Sequence, residues 1–369
     1  MAAKHYVFRN KKRTFARLTI LLVLALAFIG LAVGGVLLFK SCSLAASKRS
    51  LPFASSAESA YTGDGFMYME GSTLKYLSLK DESKNYSISV NAPSARLMGT
   101  SGIKIVYNTR ALQIVGTQYD IELSGEIVKL CCGSGYAAVY RHGDDGSSAL
   151  RVYDSTGSQC YQIDFTDTVL TDFGFESTTS PILWTSELIT TGNCVTTTVT
   201  IYDLSRSSIT GVISVQGQLV KDIYITNNSI FAVCTDNIIR YDRRSNIEAY
   251  RLLTYGYDCT SCSFSGGRAL FVLKSEENET SLVRLLSVSE KDVANEKSSL
   301  LMLPEDIVNS FAMNGRFVVV STEVLLIYNV NGELAKEAQF DYAITSAEKL
   351  DERNILIGRG EEALLYTIN

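Results

Sequence analysis

The chain has 369 residues, 46% of them hydrophobic and 20% charged, with a net charge of −5. That balance excludes a disordered or fibrous chain. The charge is unevenly divided: residues 41–369 hold 27 basic against 39 acidic side chains, a net of −12, which argues against nucleic acid as a partner.

The first element is a basic tail, residues 1–17, with Lys4, Arg9, Lys11, Lys12, Arg13 and Arg17 and no acidic residue ahead of Glu58. An uncharged stretch, Leu18–Phe39, follows. As a helix its 22 residues would measure about 33 Å, enough to cross a hydrocarbon core of about 30 Å. Its apolar core is longer than that of a cleaved secretory signal, so residues 18–39 read as a retained signal-anchor in the lipid bilayer. The basic tail before it places the N-terminus in the cytoplasm and the remainder outside the cell membrane, a single-pass topology. Residues 40–59, rich in Ser and Ala, read as a stalk.

From Tyr61 onward the chain reads as short strands broken by Gly, Asn, Asp and Ser. A local pattern recurs, an apolar-x-Tyr strand end followed by Asp or Asn. It appears at Val152-Tyr153-Asp154, Ile201-Tyr202-Asp203, Arg240-Tyr241-Asp242 and Ile327-Tyr328-Asn329, with looser copies at Tyr76, Val115, Leu285 and Tyr366. Intervals between successive copies run from 38 to 49 residues. A period near 40 made of strands alone is the sign of a β-propeller with four strands per blade. Eight copies predict eight blades over residues 60–369, with seven as the competitor. Within a unit the second strand is continuously apolar (Ile230-Phe231-Ala232-Val233), as burial between blades requires, and the third alternates. The last copy ends after a third strand, and a segment near Lys48–Ser55 is placed to supply the fourth and close the ring.

The layout resembles uncharacterised single-pass, membrane-anchored β-propeller proteins of Gram-positive bacteria, with WD40-like or quinoprotein-like blades. The resemblance rests on the basic tail, the span at 18–39, the Ser/Ala stalk and the apolar-x-Tyr-Asp blades, and it covers the whole chain. It implies location and fold and carries no catalytic residue across. The WD dipeptide, kelch, quinone-cofactor and sialidase signatures are missing, and Trp184 is the only Trp.

Candidate chemistry is sparse. Only His5 and His142 are present, so a histidine triad or a His-rich zinc site outside the membrane would rest on His142 alone. His142 sits in a Gly/Asp turn whose Asp144 and Asp145 lack calcium-loop spacing, and a solvated hairpin is the simpler reading. Eight cysteines include Cys259-Thr260-Ser261-Cys262, with the spacing of a thiol pair or local disulfide, and the adjacent Cys131-Cys132. No helical pattern surrounds Cys259, so the activated thiolate of a redox helix terminus is not expected. No catalytic, cofactor or metal residue is assigned. The expected role is binding or scaffolding of another membrane or cell-envelope protein. The alternatives are a cell-wall glycan hydrolase or lyase using acidic residues in the propeller channel, and a surface sensor.

Overall fold

The computed structural model of the chain describes residues 47–368, apart from 91–93, 118–119, 167, 192–193, 276–281 and 293–294. The tail, the predicted span at 18–39 and the first part of the stalk lie outside the described residues. Among the described residues no helix is long and apolar enough to cross a membrane. The chain divides into two units. Arg49–Tyr366 forms the propeller, and the second unit comprises Met1–Lys48 with Thr367–Asn369.

Among the described residues 32 strands fall into eight four-stranded sheets. Blades 1 to 7 are built in chain order from residues 59–89, 96–122, 126–164, 169–216, 220–253, 257–302 and 307–339. Blade 8 takes three strands from residues 346–367, and its fourth is Ser47–Ala54, lying beside Glu362–Thr367. The eight-blade reading therefore holds, and so does closure by the segment near Lys48. The propeller begins inside the stretch read as a stalk. The reason is burial: Leu51 and Phe53 alternate with exposed neighbours and pack against Phe66 and Tyr68 of blade 1. The Phe53 ring lies 5.5 Å from Phe66 and 4.9 Å from Tyr68.

Local chemistry explains the recurring Tyr-Asp pair. In four blades the third and fourth strands lose register immediately before Tyr153, Tyr202, Tyr241 or Tyr328. The following Asp or Asn then caps the turn. Asp154 accepts hydrogen bonds from the Thr156 N–H at 2.9 Å, the Thr156 hydroxyl at 2.6 Å and the Ser158 N–H at 3.1 Å. Asp203, Asp242 and Asn329 do the same for residues two to four positions on. A short side-chain acceptor held next to a turn can satisfy such N–H groups, which a longer side chain reaches less well.

Three of the looser repeat positions shift. Phe66 pairs with Leu77, Ile105 with Ile114, and Ala269 with Val288, at the register where Phe317 pairs with Tyr328. The equivalents in blades 1, 2 and 6 are therefore Leu77, Ile114 and Val288, not Tyr76, Val115 and Leu285. All three were misplaced because none of these blades carries a Tyr at this position to mark the register.

The core lies between blades rather than in one centre. Second strands are the most buried, with Ser229–Cys234 wholly buried and Phe317–Ser321 likewise. Each blade presents alternate residues to its two neighbours, so every interface is a small two-sided sandwich.

Candidate functional site

The first strand of each blade packs beside the first strand of a neighbour, forming the inner wall. Among the described residues five of these strands carry a bulge, just before Lys129, Asp172, Asp222, Ser261 and Asn309. A bulge re-aims the next side chain, and here each such residue is polar. Lys129 pairs with Asp172 of the next blade and donates to the Phe173 carbonyl at 3.0 Å. The Ser261 hydroxyl accepts from the Ala312 N–H at 3.0 Å, and Asn309 donates to the Ala347 carbonyl at 2.7 Å. Lys221 pairs with Asp258 across the next junction. The inner wall is thus stitched blade to blade by these polar side chains.

The Asp222 carboxyl has its pKa pushed upward. Burial is the main cause, opposed by the Tyr224 hydroxyl and the Ile223 N–H, while the Asp172 charge adds to it. Glycan cleavage needs two carboxyl groups free to face the scissile bond. Here, however, Asp172 is occupied by Lys129 and the Phe173 N–H, so the pair serves as packing polarity.

Cys259 and Cys262 share the first strand of blade 6, opposite Leu273 and Phe271. The bulge after Cys259 brings both onto one face, two register steps apart. Both are free thiols. Strand geometry keeps their Cβ atoms about 6.6 Å apart, beyond the roughly 4 Å a disulfide requires. They pack with Phe231, Phe271 and Tyr224 between blades 5 and 6. Burial pushes Cys259 up to about 12 and Cys262 well above its ordinary value. Such thiols behave as small hydrophobes. Cys131 and Cys132 are likewise raised by burial. His142 is exposed, its Nδ1 2.8 Å from the Ser148 hydroxyl. Asp144 faces Arg110 and Asp145 caps Ser147, so the three do not converge. Among the described residues no group of three His, Cys, Asp or Glu side chains could hold a metal ion.

The unusual place is the junction of blades 5 and 6. Tyr255 is 71% exposed and Met302 68%, with Leu300 at 61%. Leu300 lies opposite Arg284, and Met302 opposite Leu282, so all share one face. The Arg284 guanidinium sits 5.4 Å from the Tyr255 ring centroid and is held from below by Ser298 at 2.9 Å. Tyr255 also has φ of +57°, followed by Gly256 at +78°, with the Tyr257 N–H closing the turn on the Thr254 carbonyl at 3.3 Å. Of the six non-glycine residues with positive φ among those described, the other five are Ser or Asn. Only small or Asx side chains tolerate this region cheaply, and a bulky one costs about 1–2 kcal/mol. Exposed Asp236, whose carbonyl accepts from the Thr254 N–H at 3.0 Å, and exposed Glu305 and Asp306, which follow Met302 in the chain, add acidic charge near these residues. Nothing in the repeat pattern marks Tyr255; the sole signal was a Tyr-Gly pair between two strands.

The family of unknown function DUF5711 matches residues 59–310, more than half of the chain. The chain belongs to this family. The match covers blades 1 to 6 and the first half of the opening strand of blade 7, including the Tyr255 patch. A comparison with curated protein sequences finds no match. Among solved structures, the WD40 domain of SCAP from fission yeast is similar with a TM-score of 0.59 at 9% identity, over 88% of this chain and 94% of that one. BamB from Moraxella catarrhalis is similar with a TM-score of 0.51 at 8% identity, covering 87% and 98%. The computationally designed Ika8 protein gives 0.50 at 12% identity, covering 86% and 98%. Identities this low establish the propeller fold alone.

Proposed function

We propose that this DUF5711 protein is a membrane-anchored, extracytoplasmic binding module that holds a cell-envelope protein against the junction of blades 5 and 6. One observation carries the reading: an exposed tyrosine is kept in a strained turn, over an arginine and beside Leu300 and Met302. Strain of this kind persists where the surroundings impose it and clusters at binding sites. Tyr and Arg are also the residue types that dominate interface energetics. The acidic flank favours a partner with an apolar strip bordered by basic side chains. The uncharged stretch at 18–39 supplies the anchor, and the basic tail supports a cytoplasmic N-terminus.

Two measurements on intact cells test this. A photo-crosslinking amino acid replacing Tyr255 should capture one discrete protein, and Met302→Glu in the same chain should abolish the adduct. Adducts with lipid only, or an adduct indifferent to Met302→Glu, would overturn the assignment. For topology, the reporter is Cys194, which is exposed, rather than the buried Cys259. An impermeant thiol reagent should label Cys194 without lysis. Labelling that requires lysis would place the propeller inside the cell.

A further inference from the structure

The outermost strand of each blade leaves one row of backbone N–H and C=O groups without a neighbour. Such edges recruit other strands unless they are short or broken by charge or proline. Among the described residues seven blades are guarded in this way. The outermost strands of blades 2, 3, 5, 6, 7 and 8 each carry a charged side chain, and that of blade 1, Tyr86–Ser89, has only four residues. Blade 4 is different. Its outermost strand, Ser208–Gln216, has nine residues without a charge or a proline, and it runs for about 30 Å. No strand lies beyond it in its sheet.

The two faces of this strand differ. Ile213 and Val215 are buried in one cluster with Val220 and Ile223 of blade 5. Val212, Ser214 and Gln216 point the other way and are exposed, and Val212 and Ile209 keep 48% and 57% of their surface in solvent. A bulge leaves Thr210 as an extra residue, after which residues 211–216 pair without a break with residues 196–201. The open edge is therefore a regular ladder of six residues carrying small, hydroxyl and aliphatic side chains.

Charge decides what can lie against it. Residues 41–369 carry a net charge of −12, so two copies of the chain repel over most of their surface, yet residues 207–220 hold no charge at all. The edge offers no charge by which another protein's strand could be selected, but its own sequence meets no like charge when turned against itself. We propose that two copies of this chain pair edge to edge through Ser208–Gln216, antiparallel about a twofold axis near Ile213. Val212 and Ser214 of one copy then lie opposite Ser214 and Val212 of the second, a self-complementary contact that uses up both edges and stops at two. One strand edge with Ile209 and Val212 falls at or below the roughly 1,200 Å² of total burial that marks the smaller specific interfaces, so the dimer forms in the micromolar range. The strand shares no residue with the Tyr255 patch, and either reading can fail without the other.

Sedimentation of the full chain in detergent tests this, with hydrogen exchange to locate the contact. The chain should pass from monomer to dimer across the micromolar range, and exchange at residues 211–216 should slow as concentration rises. Ser214→Lys should weaken the dimer about fivefold or more, because the two lysines stand diagonally across the axis. Ser214→Glu should do the same, and an equimolar mixture of the two variants should recover most of the lost affinity. Ser214 is exposed, so neither variant should move the melting temperature. Leu334→Lys, at an exposed site on the outermost strand of blade 7, should leave the dimer unchanged. A chain that stays monomeric throughout the micromolar range would overturn the proposal. So would a dimer indifferent to Ser214→Lys, as one held by residues 1–46 would be, or a mixture of the two variants no tighter than either alone.

Discussion

Replacing Tyr255 by Asn separates strain from contact. With φ of +57°, Tyr255 carries a left-handed penalty of about 1–2 kcal/mol, which Asn largely relieves. The same substitution removes the ring from Arg284, a cation–π contact worth about 0.5–1 kcal/mol at an exposed site. The balance predicts a protein more stable by about 0.5–1 kcal/mol, read as a higher denaturant midpoint at unchanged m. For a domain of this size the melting temperature rises by about 2 °C. Partner binding moves the other way. Loss of a central tyrosine costs about 2 kcal/mol, roughly thirtyfold in Kd. Arg284→Met, alone and combined with Tyr255→Asn, closes a double-mutant cycle that isolates the ring contact. The opposed signs are the diagnostic. If Tyr255→Asn lowers stability, the turn is not strained in the way its backbone suggests. If the midpoint rises while partner capture is kept, the strain has no part in binding.

Three further expectations concern the seam, the acid response and the thiols. Phe53→Ala should cost about 3–4 kcal/mol in unfolding free energy, because the ring is buried between blades 8 and 1; a cost below about 1 kcal/mol would return residues 47–54 to the stalk. Asp351 is raised by burial, yet hydrogen bonds from the Asn354 side chain, the Arg353 N–H and the Tyr61 hydroxyl outweigh this and hold its pKa below the usual carboxylate value. Its folded-state pKa is depressed, so its contribution is present above about pH 4 and lost as pH falls through the lower folded value. Tyr61→Phe removes one donor and should start acid unfolding at a higher pH, and an unchanged acid limb would contradict this linkage. In native protein, alkylation followed by mass spectrometry should find Cys160 and Cys194 modified first, with Cys259 and Cys262 modified only on unfolding. A two-hydrogen mass loss joining Cys259 to Cys262 under mild oxidation would show that the strand opens far more readily than its packing implies.

The division between what sequence and structure reveal can be traced residue by residue. The Tyr-Asp pairs at 153, 202 and 241 and the Tyr-Asn pair at 328 were legible because the interaction is local: an Asp or Asn caps the turn that begins beside it. Blades 1, 2 and 6 lack that pair, so their register drifted by one, one and three residues until strand pairing fixed it. Cys259 and Cys262 look like a reactive pair in one dimension. A bulge and a blade interface turn them into packing, because reactivity follows desolvation and distance rather than spacing.

By itself, then, the sequence determined the period, the strand content, the blade number and the candidate for the closing strand. Each of these is written in short-range hydrophobic alternation and turn chemistry. It also set the expectation of a membrane anchor at 18–39, which rests on length and charge alone. Only the tertiary structure decided which residues remain exposed, orphaned or strained. Tyr255 is ordinary until its φ is known, and Tyr86 is ordinary until its hydroxyl is found buried without a partner. Those properties belong to the backbone angle and the three-dimensional surroundings of each side chain, which no hydrophobic alternation or repeat period records.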